Sequence, residues 1–263
     1  MKSVTSHDGT TIAYDQKGDG PALILVDGAL TTRVSGSKAE LVDLLAARFT
    51  VFSYDRRGRG DSGDTLPYAV EREIEDIDAL IDQARTPAFL YGHSSGGCLT
   101  LETARILGAK VTKVGIYEAP YNDDPSVQEA WAEYLRQLTE ALAADRRGDA
   151  VALFRQFLGI PAQQIAEMRQ TPFWADLEAV APTLAYDHTA IMGATLAVPT
   201  DRLAAVVAPM LALCGGSSPP FMCASARTVS QAVPNGKFRK LDGQTHDVQP
   251  AVLAPVLIEF LSA

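Results

Sequence analysis

The stretch Gly92-His93-Ser94-Ser95-Gly96 sets two adjacent serines between glycines. It follows a short apolar run, residues 87–91, and opens an Ala/Leu-rich run, residues 95–107. A serine hydroxyl is a weak nucleophile at its free pKa, so chemistry here needs both a base and a special geometry. Gly-x-Ser-x-Gly is the spacing of a nucleophile elbow, a sharp strand-to-helix turn with a strained central serine. Residues two positions to either side must be small, because a side chain there would strike the strand or the helix. By this spacing Ser94 is the nucleophile, held clear of a sheet at a helix N-terminus whose free N–H groups favour a developing oxyanion. Ser95 contributes its backbone N–H.

Such a serine needs a histidine, and the chain has four. His7 falls in an N-terminal turn. His93 lies inside the elbow and points away from the Ser94 hydroxyl. His188 sits in a helical stretch, where a solvated or capping role is expected. His246, in "LDGQTHDVQP", follows the last strand and precedes the last helix. In the chain order serine, acid, histidine, that loop is where the base belongs. For the acid, Glu118 in "VGIYEAPY" follows a strand over residues 111–117 and emerges at the sheet's C-terminal edge. A carboxylate there can reach His246 Nδ1, where it would orient the ring and stabilise the imidazolium. Asp242 is the runner-up and Asp247 a weaker one, since both lie too near His246 in sequence to approach it comfortably.

The elements that must position these groups are legible as an alternation. Residues 11–16, 21–27, 49–55, 87–91 and 111–117 read as strands, and residues 37–48, 69–84 and 95–107 as helices. From about residue 122 to 207 there are only amphipathic helical stretches, punctuated by Pro161, Pro172, Pro182 and Pro199. The alternation resumes with strands at 208–214 and 237–241 and helices at 220–232 and 250–262. This order predicts a mostly parallel, doubly wound sheet built from residues 1–121 and 208–263, with an all-helical insertion at 122–207.

The bulk properties narrow the partners. The 263 residues carry a formal charge of −9, with 47% apolar and 21% charged residues. An acidic surface argues against nucleic acid and anionic membranes. The first residues lack a leader-like apolar run and nothing approaches a membrane span, so a cytoplasmic enzyme is expected. Cys98, Cys214 and Cys223 suggest neither a metal site nor a disulfide framework, and Cys98 reads as a small core residue. "RRGRG", residues 56–60, reads as ion pairs within a loop rather than a nucleic-acid patch.

Taken together, "LVDGAL", "SYDRRGRGDSG", "GHSSGG" and "GQTH" resemble the α/β-hydrolase superfamily over nearly the full length. They match its oxyanion loop (with Asp27 for the usual His), its Asp-x-Arg-Gly turn, its elbow and its base loop. The resemblance implies that Ala29 donates the second oxyanion N–H beside Ser95, with Gly28 as the alternative. Asp27 is then expected to be tied to backbone N–H groups or an arginine. It also implies that the helical insertion is a cap lining the pocket, with Leu30, Tyr121, Trp174, Met192 and Phe221 as substrate contacts. Most relatives carry an Asp where "LALCGGSSPPF" has Ser218. Zearalenone-type lactonases instead have Glu-Phe-Pro where this chain has Glu118-Ala119-Pro120, which assigns the acid to Glu118. The expectation is a cofactor-free, metal-free serine esterase or lactonase acting on a mid-sized, largely apolar molecule. C–C hydrolase, lyase or perhydrolase chemistry on the same residues, or a non-catalytic ligand binder, are the alternatives.

Overall fold

A computed structural model describes residues 1–36 and 38–263. Among these residues eight strands form one sheet in the order β1-β2-β4-β3-β5-β6-β7-β8. They are β1 (Lys2–Thr5), β2 (Thr11–Lys17), β3 (Ala22–Val26), β4 (Thr50–Tyr54), β5 (Ala88–His93), β6 (Val111–Tyr117), β7 (Met210–Gly215) and β8 (Gly236–Leu241). The pairs β1–β2 and β2–β4 are antiparallel and all the others parallel. β1 has no counterpart in the sequence reading: "KSVT" is exposed along most of its length and lacks an apolar face. It forms because β2 offers it an edge.

The central strands show why the sheet is covered on both faces. All five residues of β3, "ALILV", are buried. Ala22, Ile24 and Val26 enter one core and Leu23 and Leu25 the other, as strand alternation requires. Helices α2 (Val70–Ala84) and α3 (Ser95–Leu107) supply the first core, with Ile74, Ile77, Leu80 and Ile81 on the inner face of α2. Helices α1 (Lys38–Leu45) and α10 (Pro250–Ser262) supply the second through Leu45, Leu253 and Leu257. The expected helix start at Ser37 lies outside the described residues.

Between β6 and β7 the described residues form α4 (Pro125–Ala143), α5 (Arg147–Phe157), α6 (Ala162–Met168), α7 (Pro172–Val180), a π-helical turn Tyr186–Ile191 and α8 (Thr200–Leu203). The insertion is helical throughout, as its proline-punctuated amphipathic pattern predicts. Helix α9 (Pro220–Ala232) then joins β7 to β8. Among the described residues no helix is long and apolar enough to cross a membrane.

Candidate active site

The turn from β5 into α3 carries Ser94 at φ 56° and ψ −130°. A non-glycine residue adopts this conformation only where its surroundings enforce it. The Ser94 N–H donates to the Tyr117 carbonyl at 2.9 Å. The flanking glycines show the enforcement directly. A Cβ on Gly92 would stand 2.5 Å from the Gly96 carbonyl oxygen, and one on Gly96 would stand 2.5 Å from that of Asp27. Any side chain at either position would push the turn apart.

One strand over, Glu118 follows β6, also in a left-handed conformation (φ 50°). The carboxylate is fully buried. Its Oε2 accepts from His246 Nδ1 at 2.7 Å, and its Oε1 accepts from the Gly215 N–H at 2.7 Å. Burial alone would raise the Glu118 pKa; the hydrogen bonds from His246 and Gly215 and the nearby Ser218 hydroxyl outweigh it and hold the group below the ordinary carboxylate range. The Ser218 hydroxyl, itself buried and in no regularly shaped hydrogen bond, lies close enough to contribute to that lowering.

The His246 loop is held by its own backbone. Tyr117 Oη donates to the Thr245 carbonyl at 2.6 Å, and His93 Nε2 donates to the His246 carbonyl at 3.0 Å. His93 therefore points away from the Ser94 hydroxyl and into the base loop. Burial pushes its pKa down to about 4, so the ring is neutral and keeps its Nε2 proton for that bond. Asp242 is exposed and paired with Lys240 at 3.0 Å.

The loop after β3 abuts the elbow: a Cβ on Gly28 would stand 2.9 Å from Ser94 Cβ. Leu30 completes its sharp turn at φ 58°. Among the described residues the Ala29 and Ser95 N–H groups have no protein acceptor. The Asp27 carboxylate pairs with Lys38, rather than with backbone N–H groups or an arginine as expected. A lysine on α1 reaches it because the β3–α1 connection folds back over the loop.

Three further expectations are corrected. The arginines of "RRGRG" form ion pairs, but their partners lie outside the loop, and all three side chains are buried. Arg57 pairs with Asp8 and Asp76, and Arg56 pairs with Glu73 on α2 and Asp187 in the insertion. Arg59 also pairs with Asp187. His188 is neither solvated nor a cap. It is buried among Trp131, Tyr134 and Phe154, with the Tyr134 hydroxyl 2.7 Å from its Nδ1. Burial drives its pKa down to about 4. Ser95, expected to offer only its N–H, also donates its hydroxyl to Asp187 at 2.8 Å.

The residues expected to contact substrate are dispersed. Leu30 lies beside Ala29 and is buried. Met192 closes the π-helical turn, its N–H on the Asp187 carbonyl. Phe221 is half-buried at the start of α9. Tyr121 is buried in the same core as Cys98 of α3, whose thiol burial pushes up to about 12. Trp174 donates its indole N–H to Glu178 at 2.8 Å and stacks under Arg169, contacts that belong to the packing of the insertion. Cys98 is a buried core residue as expected, but Cys214 and Cys223 form a disulfide that the sequence reading did not anticipate. It joins the end of β7 to α9 and closes the loop that carries Gly215 and Ser218.

A mostly parallel sheet with a strained serine at a strand-to-helix turn and a helical insertion after β6 defines the α/β-hydrolase fold. The alpha/beta hydrolase family model matches residues 33–256, and the chain belongs to this family. An α/β hydrolase from Sphaerobacter thermophilus DSM 20745 superimposes with a TM-score of 0.88 at 46% identity, over 99% of this chain and 100% of that one. The enol-lactonase from Burkholderia xenovorans LB400 shares the fold at a TM-score of 0.70 and 21% identity, over the whole of both chains. The uncharacterized hydrolase YraK of Bacillus subtilis (strain 168) is 32% identical over 102 residues, which are 36% of this chain and 35% of YraK. The chain thus spans about a third of that relative.

Proposed function

We propose that the protein is a serine hydrolase that cleaves a carboxylic ester or lactone of a mid-sized, largely apolar substrate through an acyl-enzyme. Ser94 Oγ attacks the carbonyl carbon while His246 Nε2 takes its proton. Glu118 holds the His246 ring by Nδ1–H and stabilises the imidazolium. The Ala29 and Ser95 N–H groups, with Gly28 as the alternative donor, receive the tetrahedral oxyanion. His246 then returns the proton to the leaving alcohol, and water, activated by the same ring, releases the acid. In a lactone the leaving alcohol stays on the product chain. Residues 1–121 and 208–263 act as the core and 122–207 as the lid, with Leu30 and Phe221 of the core and Met192 of the lid as substrate contacts.

The observation that carries this reading is the 2.7 Å contact between His246 Nδ1 and the buried, fully satisfied Glu118 carboxylate. It supports catalysis over a non-catalytic binder, because a buried carboxylate on Nδ1 is what an activated histidine needs. The test is a panel of esters and lactones of graded acyl size, run on the wild type and on Ser94→Ala. The wild type turns over apolar members and Ser94→Ala turns over none. Full activity in Ser94→Ala overturns the reading.

A further inference from the structure

The buried charges beside the elbow include Arg56, Arg59, Glu73 and Asp187, none more than 1% exposed. The reaction described above uses none of them. Glu73 takes two donors of Arg56, at 2.6 and 2.7 Å. The remaining Arg56 contacts are to Asp187 Oδ1 at 2.6 Å and to the Asp27 carbonyl at 3.1 Å. Arg59 divides its fork between Asp187 Oδ2 and the Gly28 carbonyl, the latter at 2.6 Å. Ser95 Oγ gives Asp187 its third partner.

The two carbonyls matter because of what stands opposite them. In a planar trans peptide the C=O and the N–H point in opposite directions. Fixing the Gly28 C=O on Arg59 therefore aims the Ala29 N–H away from the cluster. Fixing the Asp27 C=O on Arg56 aims the Gly28 N–H the same way. The loop carrying both N–H groups is the one that abuts Ser94.

We propose that Asp187 and Arg59 are positioning residues that set the oxyanion donors, Arg59 by gripping the Gly28 carbonyl and Asp187 by holding Arg59, Arg56 and the Ser95 hydroxyl in one register. This rests on the assignment of Ala29 and Ser95 as donors. A single carboxylate from the helical insertion thus indexes both halves of the oxyanion hole, one on the loop after β3 and one on α3. Arginine suits the task because its rigid fork spans a carbonyl and a carboxylate together. Asp187 suits it because two buried guanidiniums need a buried counter-charge. Thr31 Oγ1 also donates to the Gly28 carbonyl, at 2.7 Å, so losing one grip tilts the peptide rather than freeing it.

The experiment compares Asp187→Asn and Arg59→Lys with the wild type on a p-nitrophenyl ester. A trifluoromethyl ketone is the second probe, because its hemiketal oxyanion reads the donors directly. Circular dichroism selects folded protein. Arg59→Lys keeps a cation beside Asp187, so it decides the matter if Asp187→Asn fails to fold. A tilted donor should lower kcat by about 10- to 100-fold, less than the full loss of one donor. KM should stay within about twofold, and affinity for the ketone should fall with kcat, as transition-state binding requires. Native kcat in a folded variant overturns the proposal, as does a loss confined to KM with ketone affinity unchanged. Ser94→Ala run alongside separates this failure from failure of the serine mechanism: if it retains full activity, the mechanism itself is wrong.

Discussion

Glu118→Gln removes one charge and almost no volume, which makes it the most informative single change. The carboxylate is buried, with one oxygen on the Gly215 N–H and the other on His246 Nδ1, each at 2.7 Å. The amide can satisfy only one of these partners with its oxygen. The Gly215 N–H cannot rotate, so the oxygen stays there and the NH2 turns towards His246. Nδ1 must then accept, which puts the ring proton on Nε2. An Nε2 already protonated cannot take the proton of Ser94, and no charge remains to stabilise an imidazolium. Loss of the correct tautomer costs about 10³- to 10⁴-fold in kcat. That is about 4–5.5 kcal/mol of transition-state stabilisation. Initial rates on p-nitrophenyl esters read the change, with KM near its wild-type value because the substrate does not touch Glu118. Asp242→Asn is the control, since Asp242 is 87% exposed and pairs only with Lys240. A Glu118→Gln variant within tenfold of wild type would refute the reasoning, as would an Asp242→Asn variant that falls equally far.

Gly96→Ala should destabilise the fold by at least about 1–3 kcal/mol, because its Cβ meets rigid backbone of residues 26 and 27; urea denaturation measures this, and an unchanged midpoint would contradict the packing described. Stability should also fall as pH drops from about 6.5 towards 4. The buried His188 has its pKa lowered from 6.5 to about 4, so the unfolded chain binds its proton first and that stability, fully present above 6.5, is lost as pH falls. His188→Gln should flatten the slope of melting temperature against pH in that window, and a slope identical to wild type would count against a neutral buried ring. Cys223→Ser should cost about 2–3 kcal/mol, from the loop entropy released when a separation of 9 residues is no longer closed. Thiol titration of the denatured, unreduced wild type should find one free thiol, Cys98; three would mean that the bridge does not form.

The parts of this molecule that repeat in local pattern were legible, and those that rest on distant pairing were not. The strands β3, β5, β6 and β7 announce themselves as apolar runs because they are buried on both faces. The elbow glycines are readable because the collision they avoid is set by spacing alone. That Glu118 and His246 meet follows from topology, since β6 and β8 flank β7 in parallel and both groups follow the C-terminal ends of their strands. Asp187 carried no such signal. Its partners Arg56 and Arg59 lie 131 and 128 residues away, and a lone Asp in a helical stretch reads as solvated. His188 beside it was misread for the same reason: periodicity does not show which neighbours close over a polar side chain. The Cys214–Cys223 bridge escaped notice because a strand end and the next helix are brought face to face only by the turn between them. One hint for Asp187 was available. Three arginines in five residues of an acidic chain demand carboxylates, and the loop itself supplies too few.

The account depends most on Ser94 being an activated nucleophile. Reaction of the native enzyme with a fluorophosphonate, followed by tryptic mass spectrometry, tests that directly. One adduct per chain is expected, on Ser94, absent from Ser94→Ala and formed orders of magnitude more slowly in Glu118→Gln. No adduct, or one on Ser95 that survives Ser94→Ala, would contradict it.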